Sequence, residues 1–551
     1  MPEKVLWLEW SKESFEKAKR EKKPVLLDIS AVWCHWCHRM DSDSYQNNDI
    51  AEFINENFIP IKVDTDKRPD INNRYTMGGW PTTAILTPKG EIITGSTYMT
   101  ATQLFDMLVS TINFYKIDRE KFERYIESTK KKEKQITPEK TIKLEKEHLS
   151  QIEKKITDSF DEEHHGFGTS QKFPMPEQVD YCLLRYATTK NRKMLEIAEK
   201  TLTSTTNIFD NEEGGFYRYA VQRNWLQPHH EKMLETNSTA VINYVNAFQL
   251  TGNNEFKKIA EKTAKYMQEK LLEEKQKWFY GSQDAEEEYY AKNTEERKKA
   301  RKPAVDKTLY TNLNCIAVNA FLKAGTALDK PEYTTQAINT LEFLLSNCYS
   351  KEHGACHYYD GKPIMFGLLA DNAMIVQALL SAFEATQEKK YLETAENHTE
   401  WIIGKFWDRK QQALMDSLKN EAETGYLKMK GIPLKENSIM AECLAKMSMA
   451  TGKEKHLETA ETILNSLKEE IEMFGIFSAP YGTALECTLN PVKISNTGKR
   501  DFFNQSLKIF EPRAIRTFKE SKENTALICI GSKCLEPVKT IAELEKKLET
   551  I

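Results

Sequence analysis

In the stretch Pro24-Val-Leu-Leu-Asp28-Ile-Ser-Ala-Val-Trp33-Cys34-His35-Trp36-Cys37-His38, an apolar run of strand length ends at Ser30 and helical pattern resumes after Cys34. A thiol at a helix start meets unpaired backbone N–H groups and the positive end of the helix dipole, and both favour the thiolate. The two-residue spacing lets Cys37 reach the first sulfur once a mixed disulfide has formed. Cys34 is therefore expected to attack and Cys37 to resolve, with His35 and His38 adding positive charge nearby.

Working outward, residues 11–22 read as a charged helix opened by Ser11. Ile59–Asp64 and Thr82–Thr87 read as further strands, and Pro88–Glu91 as a turn into Ile92–Thr94. A last helix is expected over Ala101–Tyr115. Strands interleaved with helices predict an α/β domain over 1–117. Residues 118–140, with Lys130–Lys134 and Pro138, read as a linker or a solvated helix. Asp28 precedes Cys34 by six residues on the strand, and Gly78-Gly79-Trp80-Pro81 leads into the next one. With these additions the motif resembles thioredoxins. The resemblance implies a buried acid, Asp28, serving Cys37 as proton acceptor, and a cis-proline loop at Pro81 against the disulfide. Cys34–His38 also spells the CxxCH haem-attachment pattern. That chemistry needs an exported chain, and the N-terminus lacks the apolar segment and cleavage site of a secretory signal. Zinc would need a second ligand cluster, and no other CxxC occurs. The expectation is no cofactor and no metal.

From 141 to 490 the pattern is helical throughout, with an internal repeat. A bulky residue is followed four positions later by alanine, one turn into a helix: Met194/Ala198, Phe256/Ala260, Tyr333/Ala337, Tyr391/Ala395 and His456/Ala460. These intervals exceed a tetratricopeptide unit of ~34 residues. They fit a helical hairpin plus a long excursion, repeated six times. The excursions set aromatics beside glycine, as in Gly166–Gly168, Gly214–Tyr217, Trp278–Gly281 and Gly354–Tyr359. Six hairpins closing into a toroid predict an (α/α)6 barrel with these loops over one mouth; an open solenoid fits the irregular repeat length less well. Residues 491–551 read as a small α/β appendage, with strands at 492–495, 514–518 and 526–530 and helices at 500–510 and 540–549.

The run Pro24–Met40, Lys62-Val63-Asp64 and Gly79-Trp80-Pro81-Thr82 resemble the thioredoxin domain of the spermatogenesis-associated protein 20 family, and the likeness extends over essentially the whole chain. It implies a thioredoxin-like domain joined to a six-hairpin glycosidase-like barrel. Pro228-His229-His230-Glu231-Lys232-Met233-Leu234 resembles a box of that family, with His229, Glu231 and Lys232 matching and His230 and Thr236 departing. Read as an inner helix, it would turn His229 and Lys232 to one side. Gly281–Ala285 and Leu369–Ala373 match family segments and supply Asp284 and Asp371 at loop-to-helix points. Imidazole and carboxylates in a dry pocket suit acid–base chemistry on a sugar, with Phe216, Tyr217, Trp225 and Tyr358 to stack on its rings. Capping and surface salt bridges are the plain structural alternative. Thr311-Asn312-Leu313 stands where relatives carry tryptophan, asparagine and glycine, which puts inherited sugar specificity in doubt. Cys529 and Cys534 read as strand and turn thiols, or as a regulatory disulfide or internal substrate of Cys34.

The 551 residues carry a net charge of −4, with Lys and Glu balanced, which gives no reason to expect nucleic acid or an anionic membrane as partner. No run approaches the ~18 apolar residues of a membrane span. Ten cysteines are too few for a disulfide framework in so long a chain. Together these predict a cytoplasmic thiol–disulfide oxidoreductase whose partners are protein or small-molecule thiols and disulfides, with a barrel that binds a carbohydrate or positions substrates. The alternative is a carbohydrate-active barrel, epimerase- or glycosidase-like, with the first domain as a regulatory module.

Overall fold

The computed structural model describes residues 4–117, 144–275, 277–420 and 423–551. The linker expected at 118–140 lies outside the described residues. The chain divides into two compact units, one holding the N-terminal residues with Ser417–Gly431, the other the remainder.

In the first unit, Ser11 caps α1 (Lys12–Glu21) through its hydroxyl. The sheet contains β1 (Val25–Ser30), β2 (Ile59–Asp64), β3 (Thr82–Leu86) and β4 (Ile92–Ser96), in the order β2-β1-β3-β4. β1 runs parallel to β2 and antiparallel to β3, which places Asp28 opposite Lys62 on one side and Thr83 on the other. Between them come α2 (His35–Met40), α3 (Asn48–Asn57) and α4 (Pro69–Tyr75), and α5 (Ala101–Ile117) ends the unit. β1 is buried along nearly its whole length and so reads as a continuous apolar run broken only by Asp28. Segment 417–431 belongs to this unit although it follows the fourth outer helix of the array. Tyr426 stacks on Tyr75 at 5.3 Å, Tyr75 accepts the Tyr426 N–H at 2.8 Å, and Arg74 donates to the carbonyls of Tyr426 and Met429. Gly90 and Gly425 meet so closely that a Cβ on Gly90 would stand 2.6 Å from the Gly425 Cα.

The second unit is a closed ring of helical hairpins. Inner helices Pro176–Thr189, Leu234–Thr251, Thr311–Ala327, Leu369–Thr386, Leu434–Thr451 and Ala479–Leu489 each pack on the next, and the last returns to the first. The marker alanines Ala198, Ala260, Ala337, Ala395 and Ala460 all lie fully buried on outer helices. The sixth hairpin pairs Glu147–Ser159 with Ala479–Leu489, so the two ends of the helical array close the ring. Arg185 locks that closure, donating to Glu153 at 2.5 Å and to Glu486 at 2.6 Å. Gly482 lets Tyr181 approach, since a Cβ there would stand 2.5 Å from its ring.

Each excursion opens with a short antiparallel bridge: Phe160 with Phe167, Phe209 with Phe216, Leu272 with Phe279, Tyr349 with Ala355, and Trp407 with Leu414. A buried asparagine in the first turn of the following inner helix clamps four of them. Asn237 receives the Phe216 N–H at 2.7 Å and donates to its carbonyl at 3.2 Å. Asn314 does the same to Phe279, and Asn437 to Leu414, while Asn372 receives the Ala355 N–H and donates to Leu368. Each clamp precedes its marker alanine (260, 337, 395, 460) by the same 23 residues. An amide side chain can both donate and accept, which a buried backbone needs on leaving a helix.

The C-terminal sheet repeats the topology of the first one. Val492–Gly498 pairs in parallel with Ala514–Glu520 across helix Arg500–Ser506 and antiparallel with Thr525–Ile530, which pairs with Lys533–Cys534 before helix Ile541–Leu548. The two sheets have the same strand order and directions. No described helix is long and apolar enough to cross a membrane.

The clamps predict a specific stability cost. Asn437→Ala leaves the buried N–H and C=O of Leu414 unpaired, and urea unfolding should show a loss of roughly 2–4 kcal/mol. A loss below 0.5 kcal/mol would show that the excursion is held by other means.

Candidate functional site

β1 delivers the chain to Cys34, which occupies the N-cap of α2; its sulfur accepts the Cys37 N–H at 3.2 Å. Cys34 and Cys37 are joined as a disulfide with their Cα atoms 5.2 Å apart, and both are nearly buried. The exposed neighbours are apolar. Val32 and Trp36 are 46% and 44% exposed, and Trp36 meets Tyr98 edge-on at 5.0 Å. Trp33 is fixed below the motif, donating to Asp66 and meeting the Trp80 ring at 5.7 Å. Trp80 donates to Thr65 and Asn72, and the peptide from Trp80 to Pro81 is cis. His38 bonds the Val32 carbonyl at 3.0 Å through a ring nitrogen.

Asp28 is 1% exposed in the centre of the sheet. Lys62 lies 3.7 Å from its carboxylate and bonds Asp41 at 2.8 Å, so a cation sits between the buried acid and the surface. Tyr45 donates to or accepts from Thr83 at 2.7 Å; burial, with the nearby Asp28 charge, holds its phenol well above the ordinary range.

The five barrel candidates fall into three settings. The expected helix at 228–237 begins only at Leu234; Pro228–His229 and Lys232–Met233 are short strands, so His229 and Lys232 do not share a helix face. His229 stacks on Tyr219 at 4.6 Å and bonds Glu231 at 3.4 Å. Lys232 is fully buried, bonded to Asp210 at 2.6 Å and to the Gly214 carbonyl at 2.8 Å, with the Tyr266 ring 4.4 Å away. Burial pushes its ammonium down to about 8. Arg297 also binds Asp210, at 2.6 Å. The preceding excursion repeats the arrangement with Lys172 and Arg223 on Asp161. Lys232 is thus a structural clasp rather than a group at the mouth.

Asp284 lies inside its excursion, after strand Ser282–Gln283, and not at an inner-helix start. Phe216 and Trp225, expected to stack on a ligand, are 0% and 1% exposed and pack in the core. Asp371 is in the first turn of Leu369–Thr386 as expected. It accepts from His357 at 3.0 Å and from the Asn312 N–H at 3.2 Å, all three groups on or before inner-helix starts. His357 was visible in the sequence only as one member of an aromatic excursion.

The groups that line the ring axis were not singled out from sequence. Lys435, in the first turn of its inner helix, binds Glu177 at 2.6 Å and lies 3.7 Å from Glu235. It thereby links three inner helices, two of them not adjacent to its own. Burial opposes its charge, but the two glutamates hold it protonated. Deeper, Asn246 bonds Asp180 at 2.9 Å, and Asn319 bonds Gln377 at 2.9 Å. Burial raises Asp180 to about 6 and lowers Lys323 to about 8. Their signal was a polar residue every three or four positions, as in Glu177/Asp180, Asn319/Lys323 and Glu442/Lys446.

Residues 1–139 match a family model, Thioredox_DsbH, described as a protein of unknown function, DUF255. Over most of its length the chain is similar to spermatogenesis-associated protein 20 sequences. The one from Rattus norvegicus is 24% identical over 85% of this chain and 76% of its own length. Thioredoxin Y1, chloroplastic, of Arabidopsis thaliana is 38% identical over 12% of the chain and 38% of its own. Among solved structures, the cellobiose 2-epimerase of Bacillus thermoamylovorans superposes with a TM-score of 0.50 at 13% identity, covering 59% of this chain and 86% of that one. The chain therefore joins a thioredoxin-like domain, with its Cys34–Cys37 pair at disulfide distance, to a helical ring of the six-hairpin glycosidase and epimerase fold.

Lys232→Met decides between clasp and site. Breaking a buried pair from one side should cost roughly 3–5 kcal/mol in chemical unfolding. Unchanged stability would return Lys232 to the list of ligand-binding candidates.

Proposed function

We propose that this protein is a thiol–disulfide oxidoreductase acting on protein or small-molecule disulfides through Cys34 and Cys37. The observation that carries the reading is the N-cap placement of Cys34, whose sulfur already accepts a backbone N–H. The same N–H stabilises the thiolate when the disulfide opens. Cys34 attacks a client disulfide, releasing one client sulfur as a thiolate that takes up a proton. The Cys37 thiol gives its proton to Asp28 and attacks the Cys34 sulfur, which frees the second client thiolate and closes the disulfide. Pro81 shapes the loop against which a client chain lies, and Val32 and Trp36 provide apolar contact. Six cysteines elsewhere are buried free thiols, which supports a cytoplasmic setting.

In insulin-disulfide reduction, Cys34→Ser should abolish turnover and Cys37→Ser should accumulate mixed disulfides. Asp28→Asn should slow resolution at least tenfold more than attack in stopped-flow mixing. Full activity of Cys34→Ser overturns the assignment, and equal slowing of both steps removes Asp28 from it.

A second reading, that the ring binds a carbohydrate and acts on it as an epimerase or glycosidase would, is favoured by the His357–Asp371 pair. An imidazole oriented by a buried carboxylate at the helix starts is the form of a general base. Of the earlier candidates, Asp371 belongs to this pair, His229 with Glu231 forms a second imidazole–carboxylate pair, and Asp284 remains an expectation. A sugar at a hundredfold excess over its Kd should stabilise the protein by about 2.7 kcal/mol, read as a rise in Tm. His357→Ala should remove that rise. If a panel of hexoses and disaccharides leaves Tm unmoved, the ring is a structural or docking element.

A further inference from the structure

We propose that Cys529 and Cys534 form a second redox-active pair, reduced by the Cys34/Cys37 dithiol of a second copy of this chain. The proposal rests on thiol–disulfide exchange at Cys34.

Burial sorts the ten cysteines. Cys34 and Cys37 form the motif, while Cys182, Cys315, Cys348, Cys356, Cys443 and Cys487 are each at most 2% exposed and beyond reach of another protein's thiol. Cys529 and Cys534 form the remaining pair, joined as a disulfide on an open hairpin. Cys529 is 9% exposed, and Ser532, Lys533 and Cys534 are exposed. An attacking thiolate needs an accessible sulfur, and Cys534 is the exposed end of this disulfide.

The hairpin does not need the disulfide to keep its sulfurs together. Cys529 and Cys534 are cross-strand partners, and so are Ile530 and Lys533. Beyond them, Leu535 donates to the Ile528 carbonyl at 2.9 Å, Ala526 and Val538 exchange bonds at 2.8 and 3.0 Å, and Gly531 donates to Pro491 at 2.8 Å. Gly531 turns the chain at φ +54°. After reduction the two thiols stay side by side, ready to close again, which makes the pair reversible. Lys533 adjoins Cys534 in sequence, and Lys493 stands directly opposite Cys529 on the neighbouring strand. Lys493, on the same face as Cys529, places positive charge near its departing thiolate and makes it a better leaving group.

Topology says which partner is donor. The C-terminal sheet has the strand order of the first domain, but the helix after its first strand opens with Gly498-Lys499-Arg500 where the first domain has Cys34. A helix-start thiolate is thus absent from the second sheet, whose cysteines occupy the hairpin of its last two strands. Such a pair is suited to accept electrons rather than to initiate attack.

The step balances between the two copies. The Cys34 thiolate attacks the Cys534 sulfur, breaking the Cys529–Cys534 bond, and the Cys529 thiolate takes up a proton. The Cys37 thiolate, having lost its proton, attacks the Cys34 sulfur and releases the Cys534 thiolate, which is protonated in turn. Two electrons pass: the 34/37 dithiol becomes a disulfide and the 529/534 disulfide a dithiol.

The test mixes two full-length chains. The donor carries Cys529→Ser and Cys534→Ser and is reduced with dithiothreitol, which is then removed. The acceptor carries Cys34→Ser and Cys37→Ser and is oxidised with diamide. Alkylation after acid quenching, read by mass spectrometry, should show Cys529 and Cys534 becoming free as Cys34 and Cys37 are lost to alkylation. The rate should exceed that of a Cys34→Ser donor at least tenfold. Equal rates, from a donor that still reduces insulin, overturn the inference and leave exchange at Cys34 standing. A donor that fails on insulin as well overturns both. An acceptor that forms no 529–534 disulfide with diamide also overturns the inference.

Discussion

The second unit depends on pairing backbone that has to be buried outside regular structure. A ring of inner helices covers its own backbone, but the excursions between hairpins leave the ring and return to it through apolar surroundings. Unpaired N–H and C=O groups there would each cost about 1–3 kcal/mol. Asn237, Asn314, Asn372 and Asn437 meet that need, each fully buried in the first turn of an inner helix. The clasps of Lys172 on Asp161 and Lys232 on Asp210 add a second tie in two consecutive excursions. The excursions are held where they leave the ring by these ties, and that fixes the helix starts around the mouth. His357, Asp371 and Lys435 take their positions from it.

The first unit solves a different problem, which is how to hold the Cys34–Cys37 pair in place at the end of a strand. β1 is central and apolar, so the motif at its end is anchored by a buried strand rather than by a loop. Asp28 interrupts that strand, and the cost of its burial is offset by Lys62, which is in register with it and also bonded to Asp41. Segment 417–431 joins this unit through Tyr426 and Leu427, which pack in the core behind β2 and β3. The first unit is therefore completed by residues more than three hundred positions downstream.

Legibility followed the strength of local pattern. The strands of the first domain were evident because each apolar run was bounded by proline, glycine or charge, and the residues of the redox motif sit where strand end and helix start placed them. The barrel followed from a marker on the outer helices, where one apolar stripe faces inward and the rest is solvated. Inner helices hid their function because they are apolar on almost every face, so Asp180, Lys323 and Lys435 looked incidental. The box at 228–234 misled for a related reason. Its four consecutive polar residues, His229 to Lys232, carry neither a strand nor a helix period, yet it directly precedes a helix, and Lys232 binds Asp210. No local signal could have shown that 417–431 packs with residues 74–90, since the pairing spans most of the chain.

The charges on the ring axis bear on what such a ring can hold. Lys435 ties Glu177 and Glu235, so carboxylates that could serve a ligand are engaged with a cation in this state. Below them Asp180, raised by burial, and Lys323, lowered by burial, both titrate nearer neutrality than such groups do in water. In both, desolvation on an inner helix is the largest cause of the shift. The ring thus carries polar ties between its inner helices, and Lys435 joins helices that are not neighbours in it.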